Sequence, residues 1–193
     1  MAEPRPSPET ICAHAREQSP PAGEPLVAPL FQASVGRLAD LDAADARFEG
    51  RAPGFLYTRL GNPTVAQLEA TLARLEGGEA ACVTASGMGA IATTLLALLA
   101  PGETLVASPY LYGATESFLR QDLVRWGVRV ESADGHDAAA IAAALARFRP
   151  AVCYVETIAN PLLQVADLPA LAERCRAAGA RLVVDHTFAT PCL

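Results

Sequence analysis

Short apolar runs alternate with helical patterns along most of this chain, and that alternation constrains the fold more than any other feature. Five runs predict strands, at residues 80–84, 104–107, 128–131, 151–155 and 181–185. The runs are apolar throughout instead of alternating with polar residues, which is typical of strands buried on both faces. The sequence therefore predicts an α/β fold with a mainly parallel sheet and helices on both faces.

Helix signals separate these strands. Asn62 and Pro63 supply an N-cap and a first-turn proline, and Gly77 supplies a stop signal. Helices are predicted at residues 37–48, 63–76, 87–99, 114–126, 138–148 and 168–178. Residues 1–36, rich in Pro, Ala and Glu, fit either an irregular arm or a disordered tail. We expect an N-terminal arm with a short helix over residues 1–56 and a partial α/β domain over residues 57–193.

Composition narrows the classes of function. The 193 residues carry a formal net charge of −6, which disfavours nucleic acids and anionic membranes as partners. The longest apolar stretch, residues 91–99, is too short to span a bilayer, and the Pro-rich start lacks the apolar core of a signal peptide. Five scattered cysteines favour free thiols in a reducing compartment. We therefore expect a cytoplasmic protein, and no residue cluster predicts a metal site.

The segment Ser86-Gly87-Met88-Gly89 lies between a predicted strand and a predicted helix. Small residues let an anion approach the backbone, and a helix N-terminus offers free N–H groups and a positive dipole end, so this is a candidate phosphate site. A tight turn would use glycine in the same way. The segment also opens a G-x-G-x-x-A match, the fingerprint of a nicotinamide- or flavin-binding Rossmann domain. That alternative requires an acidic residue after the next strand, where the sequence has Ala107-Ser108-Pro109.

Residues suited to binding a heterocycle follow three later strands. Tyr112 can stack on a planar ring, and Asn160 can donate a hydrogen bond to a phenolate oxygen. Asp185, followed by Thr187, can keep a ring nitrogen protonated. Each of these residues alone could equally cap a turn or pack at the sheet edge. Because the carboxyl ends of parallel strands meet at one edge of a sheet, we expect them to converge.

Tyr57 and Arg59 precede the first regular helix. An arginine can bind a phosphate through two hydrogen bonds, and the tyrosine can add a hydroxyl. A surface arginine without a ligand is the alternative. The pair lies outside the predicted sheet, so it could reach a site on a neighbouring subunit.

A phosphate, a stacked ring and a protonated ring nitrogen together indicate pyridoxal phosphate, whose chemistry also requires a lysine amine. The sequence contains no lysine, since all 15 residues counted as lysine or arginine are arginine. We interpret the chain as the N-terminal half of an enzyme, cut before its nucleophile, and expect it to be inactive alone. A non-catalytic remnant that keeps the fold core is the alternative from another class.

Together these segments resemble the Cys/Met-metabolism pyridoxal-phosphate enzymes, a family that includes cystathionine γ-synthase, cystathionine γ-lyase, methionine γ-lyase and O-acetylhomoserine sulfhydrylase. The resemblance extends from about Tyr57 to Leu193. The segments that carry it are Tyr57-Thr58-Arg59 with Gly61-Asn62-Pro63-Thr64, Ser86-Gly87-Met88, Tyr112-Gly113, Glu156-Thr157-Ile158-Ala159-Asn160-Pro161 and Asp185-His186-Thr187-Phe188-Ala189-Thr190-Pro191.

The resemblance implies a type I aminotransferase-like domain, incomplete on its C-terminal side, that binds pyridoxal 5′-phosphate and forms a homo-oligomer with shared sites. It implies γ-replacement or γ-elimination on homoserine esters, cystathionine or methionine, with Tyr112 as a catalytic acid or base. The cofactor-binding residues that it implies are Tyr57, Arg59, Ser86, Gly87, Met88, Tyr112, Asn160, Asp185 and Thr187. His186 stands where the family usually has Asn, and the family's lysine follows the segment with which this chain ends.

Overall fold

The computed structural model describes residues 6–13, 25 and 27–191. Its elements are α1 (Pro8–Ala13), α2 (Leu41–Phe48), α3 (Pro63–Glu76), α4 (Gly87–Leu98), β1 (Thr104–Ala107), α5 (Gly113–Ser117), a π-helical segment (Phe118–Leu123), β2 (Arg129–Ser132), α6 (Ala138–Phe148), β3 (Val152–Glu156), α7 (Leu168–Ala178) and β4 (Arg181–Asp185). The chain divides into two compact units, residues 1–83 and 84–193. The predicted arm over residues 1–56 and domain over residues 57–193 stay a prediction.

The second unit is built on a parallel sheet with the strand order β2-β1-β3-β4. Ala107 at the end of β1 is in register with Tyr154 of β3, and Glu156 at the end of β3 is in register with Asp185 at the end of β4. The carboxyl ends of these three strands therefore lie at one edge of the sheet. This arrangement places the predicted polar segments on the same side of the molecule.

Two apolar clusters lie on opposite faces of this sheet. The first joins α4 and the π-helical segment to the strands, and includes Leu95, Leu105, Leu119, Leu123, Val152 and Tyr154. The second joins α6 and α7 to the strands, and includes Val106, Ile141, Leu145, Cys153, Leu171 and Cys175. Leu105 and Val106 fall in different clusters because successive strand side chains point to opposite faces. The prediction of a parallel sheet with helices on both faces is confirmed.

Side-chain caps explain where the helices of the second unit begin. The Ser86 hydroxyl accepts the Gly89 N–H at the start of α4. The Asp137 and Asp167 carboxylates cap α6 and α7 in the same way, so each satisfies N–H groups that lack a partner within the helix. None of the described helices has both the length and the apolar character needed to cross a membrane.

The first unit holds α3 and the segment that precedes it. The Asn62 carboxamide oxygen accepts the Thr64 N–H at the start of α3, and Gly77 ends the helix at a φ of 65°. Extended residues further upstream run beside the chain before α3, where Val35 forms an antiparallel bridge with Tyr57. Part of the predicted arm is therefore ordered by backbone hydrogen bonds, and α1 adds a short helix that the sequence pattern did not predict.

One further prediction about local structure was wrong, and the structure refines another. Residues 80–84 form no strand in the described structure, and the Val83 N–H donates to the Glu69 carboxylate. The single helix predicted over residues 114–126 widens into a π-helical segment after Ser117. An apolar run alone does not reveal whether a partner strand is present.

We expect Leu105→Ala to lower the free energy of unfolding by about 2–5 kcal/mol, because it opens a cavity in the first apolar cluster. Leu105 is fully buried, whereas Leu162 in the same unit is 56% exposed. Leu162→Ala is therefore the matched control and should change the free energy by less than about 0.5 kcal/mol. Urea denaturation of the 193-residue chain measures both effects, and equal losses would contradict this description of the core.

Candidate cofactor site

A cavity of about 230 Å³ opens at the carboxyl edge of the sheet. Its wall is built from the start of α4 and from the loops that follow β1, β3 and β4. The lining residues are Gly87, Met88, Ile91, Tyr112, Glu156, Ile158, Asn160, Asp185, Thr187 and Phe188. Most of the predicted site residues of the second unit are therefore brought together, and Ser86 lies next to them as the cap of α4.

The N-terminus of α4 offers backbone donors to this cavity. The N–H groups of Gly89 and Ala90 are already bonded to the side chain and the carbonyl of Ser86. Within the described residues, the N–H groups of Gly87 and Met88 have no hydrogen-bond acceptor. A Cβ atom placed on Gly87 would meet no heavy atom within 4 Å, so the approach to these donors is open. This geometry fits a phosphate group.

Asp185 is held through both of its carboxylate oxygens. Oδ1 accepts hydrogen bonds from the backbone N–H (3.0 Å) and the hydroxyl (2.5 Å) of Thr187. Oδ2 accepts one from the hydroxyl of Tyr154 at 3.2 Å. A carboxylate oxygen can accept two hydrogen bonds, so Oδ2 retains the capacity for a further donor. A protonated ring nitrogen in the cavity would be such a donor.

Glu156 joins the loops that carry Tyr112 and Asn160. Its Oε1 accepts the Tyr112 N–H at 2.6 Å, and its Oε2 accepts the Asn160 N–H at 3.2 Å. Glu156 is only 5% exposed, and burial raises the pKa of its carboxyl; the two N–H donors oppose this shift, and the charge of Asp185 adds to it. Glu156 was not among the predicted site residues, although it ends an apolar run just as Asp185 does.

Tyr112 has a fixed backbone and an accessible ring. The Glu156 hydrogen bond holds its N–H, while the residue as a whole is 50% exposed and lines the cavity. Tyr112 is also the residue before α5, where its side chain makes no capping hydrogen bond. Its side chain is therefore available for a ligand in the cavity.

His186 is tied to the neighbouring loop. Its Nδ1 lies 2.7 Å from the Thr157 hydroxyl, which is part of the segment after β3. His186 therefore has a polar partner in this chain. The bond joins the ends of β3 and β4 beside Asp185, which keeps its own partners.

Tyr57 and Arg59 belong to the first unit, so the cavity of the second unit does not test their predicted role. The Arg59 guanidinium lies over the Tyr57 ring, 5.1 Å from its centroid. This cation–π contact keeps the two side chains together. Their binding of a phosphate on a neighbouring subunit stays a prediction.

The described cysteines form no disulfide. Cys12 and Cys82 are exposed, and Cys153 and Cys175 are buried. Cys192 and His14 lie outside the described residues. Within the described part of the chain, no three His, Cys, Asp or Glu side chains are grouped as metal ligands.

The sequence profile of the Cys/Met metabolism PLP-dependent enzymes matches residues 9–193. The chain belongs to this family. It is 41% identical over 173 residues to L-methionine γ-lyase from Pseudomonas putida, covering 89% of this chain and 43% of the relative. It is 42% identical over 150 residues to O-succinylhomoserine sulfhydrylase from Mycobacterium tuberculosis, covering 78% and 37%. The chain therefore spans less than half the length of these curated relatives.

Solved structures of the family share the fold. Cystathionine γ-synthase from Xanthomonas oryzae in complex with cystathionine superposes with a TM-score of 0.86 at 33% identity, covering 97% of this chain and 46% of that structure. A Campylobacter jejuni protein assigned as O-acetylhomoserine (thiol)-lyase gives 0.86 at 28% identity, covering 96% and 46%, and contains N′-pyridoxyl-lysine-5′-monophosphate. The predictions of family, fold and pyridoxal phosphate are confirmed, and the comparisons give no support to the Rossmann alternative.

The raised pKa of Glu156 predicts a specific pH dependence of stability. Folding favours the protonated form of Glu156, because the pKa is higher in the folded state than in the unfolded state. The contribution of this carboxyl to the free energy of unfolding is therefore fully present below the ordinary pKa of 4.5. It is lost as the pH rises through the higher pKa of the folded state. Relative to Glu156→Gln, which does not titrate, the unsubstituted chain should therefore lose stability as the pH rises from 4.5 toward neutral. Urea denaturation at a series of pH values measures this difference.

Glu173→Gln is the control for this experiment, because Glu173 is an exposed glutamate of α7. As a substitution at an exposed position, Glu173→Gln should change the free energy of unfolding by less than about 0.5 kcal/mol. A constant difference for Glu156→Gln would show that the buried carboxyl does not contribute as described.

Proposed function

We propose that this chain supplies the cofactor-binding part of a pyridoxal-phosphate enzyme of sulfur amino-acid metabolism. The reaction class is γ-replacement or γ-elimination on a homoserine ester, cystathionine or methionine. Family membership supports the class, and the relatives include a methionine γ-lyase, a sulfhydrylase and a cystathionine γ-synthase. The substrate is accordingly a small amino acid.

One observation carries this proposal. The Asp185 carboxylate, the Tyr112 side chain and the N-terminus of α4 come from distant segments and line the same cavity. They supply an acceptor for a ring nitrogen, an aromatic face and donors for a phosphate. A cofactor with all three features matches this combination better than a nicotinamide, because no carboxylate follows β1 to bind its ribose.

Different residues of the chain bind different parts of the cofactor. The N–H groups of Gly87 and Met88, at the helix end capped by Ser86, bind the phosphate. Asn160 donates to the ring hydroxyl, and Asp185, oriented by Thr187, accepts the ring N–H. When bound, the cofactor withdraws electrons from the α-carbon of the substrate.

Tyr112 is the proposed catalytic acid or base. Tyr112 lines the cavity and is 50% exposed as a residue, so its hydroxyl can give a proton to, or take one from, a substrate atom beside it. Glu156 keeps the Tyr112 backbone in place through the N–H hydrogen bond, so the position of the tyrosine side chain depends on this buried carboxyl group.

We propose that Tyr57 and Arg59 bind the cofactor phosphate of a neighbouring copy in a homo-oligomer. The 193 residues contain no lysine, so the chain alone would hold the cofactor without a lysine bond and would show no turnover. A cytoplasmic location is proposed from the free thiols at Cys12 and Cys82.

We expect Asp185→Asn to weaken the binding of pyridoxal 5′-phosphate to the chain roughly tenfold to a hundredfold, the range expected for a hydrogen bond to a charged group. The substitution keeps the size of the side chain but removes the charge that favours a protonated ring nitrogen. Equilibrium dialysis, with the cofactor measured by its absorbance, gives the dissociation constants.

Asp122→Asn is the matched control, since Asp122 is an exposed aspartate of the π-helical segment. It should leave the affinity unchanged. Equal affinities for the two variants would remove Asp185 from the site. Tight binding of a nicotinamide dinucleotide by a chain that does not bind pyridoxal 5′-phosphate would overturn the proposed function.

A further inference from the structure

Tyr154 is the largest fully buried side chain of the second unit and also contacts the candidate site. It lies on β3 with 1% of its surface exposed, and its ring belongs to the first apolar cluster. Its hydroxyl is 3.2 Å from Oδ2 of Asp185, to which it donates a hydrogen bond. Tyr154 does not line the cavity itself, so its effect on a bound ligand must pass through Asp185.

The sheet register explains how this contact forms. Tyr154 is paired with Val183, and Glu156 is paired with Asp185. Tyr154 therefore lies two residues before the position where the two acids are paired. Residues two positions apart on a strand point to the same face. The Tyr154 side chain is long enough to extend along that face toward the strand ends, where its hydroxyl meets the Asp185 carboxylate.

The phenol acts as a donor in this contact. Burial raises the pKa of Tyr154 strongly, and the negative charge of Asp185 raises it further, while a hydrogen bond with Thr115 opposes the shift. The hydroxyl is therefore protonated at neutral pH. Because the ring is buried in the first apolar cluster, the hydroxyl oxygen is held in place beside Asp185.

Tyr154 and Thr187 restrain different oxygens of the same carboxylate. Thr187 occupies Oδ1 with two hydrogen bonds from its own backbone and side chain. Tyr154 bonds to Oδ2, so rotation of the carboxyl group would break contacts at both oxygens. Among the described residues, loss of the Tyr154 hydroxyl would leave Thr187 as the remaining hydrogen-bond donor to this carboxylate.

We propose that Tyr154 is a positioning residue, whose buried hydroxyl fixes the Asp185 carboxylate for contact with the ring nitrogen of the cofactor. This inference rests on the proposed function and extends it to a residue outside the cavity wall. Correct orientation of an acceptor before the ligand arrives reduces the free energy needed to order it on binding.

The first test is a double-mutant cycle on the binding of pyridoxal 5′-phosphate by the 193-residue chain. Tyr154→Phe keeps the buried ring and removes only the hydroxyl, and should weaken binding roughly threefold to tenfold, as expected for one hydrogen bond. In the Asp185→Asn background the same substitution should have almost no effect, because Tyr154 acts through the carboxylate. Tyr110→Phe, at a half-buried tyrosine of the same unit, is the control and should leave the affinity unchanged.

The outcomes of this cycle separate the two proposals. If Asp185→Asn weakens binding and Tyr154→Phe does not, the role of Tyr154 is overturned and the proposed function stands. If Tyr154→Phe weakens binding equally in both backgrounds, the hydroxyl does not act through the Asp185 carboxylate, which also overturns the inference. If Asp185→Asn has no effect, the proposed function fails at its own site.

A second measurement keeps Tyr154 unchanged and needs no cofactor. Tyrosines labelled with ¹³C at Cζ report on the hydrogen bond of each phenol by NMR. Asp185→Asn should shift the Tyr154 signal and leave the Tyr110 signal in place, because the substitution replaces a charged acceptor by a neutral one. An unchanged Tyr154 signal would show that the hydroxyl does not bond to Asp185 and would overturn the inference even if Tyr154→Phe failed to fold.

Discussion

The parallel pairing of β3 with β4 is the constraint on which the candidate site depends. Its register sets Glu156 directly beside Asp185, so two carboxylates end neighbouring strands at the same edge. Two adjacent negative charges are unfavourable unless each has its own donors. In this structure each of the two acids has its own hydrogen-bond donors, and these donors belong to the segments around the cavity.

The two acids use donors of different kinds. Glu156 accepts backbone N–H groups from two loops, those of Tyr112 and Asn160, and so it fixes where those loops lie. Asp185 accepts mainly hydroxyl groups, those of Thr187 and Tyr154, and keeps acceptor capacity at Oδ2. Glu156 therefore fixes the loops around the cavity, and Asp185 presents a hydrogen-bond acceptor to a ligand inside it.

The sequence predicted the parallel sheet and the convergence of Tyr112, Asn160 and Asp185 because both follow from local patterns. Apolar runs locate the strands, and parallel strands bring their carboxyl ends together. The role of Tyr154 was not predictable in this way, since a tyrosine within an apolar run looks like any other core residue until the register is known. The missing strand at residues 80–84 has a related cause, because pairing depends on a partner that an apolar run does not specify.

The placement of Tyr154 has a consequence for how this protein can change over evolution. Its ring is part of the packed interior, and its hydroxyl reaches a group proposed to act on the ligand. A substitution among the neighbours of that ring would tilt the phenol and so change its hydrogen bond to Asp185. Selection for a tighter interior and selection for a different ligand preference would therefore act on the same side chain. A large change in core packing would change ligand preference as well, and the reverse also holds.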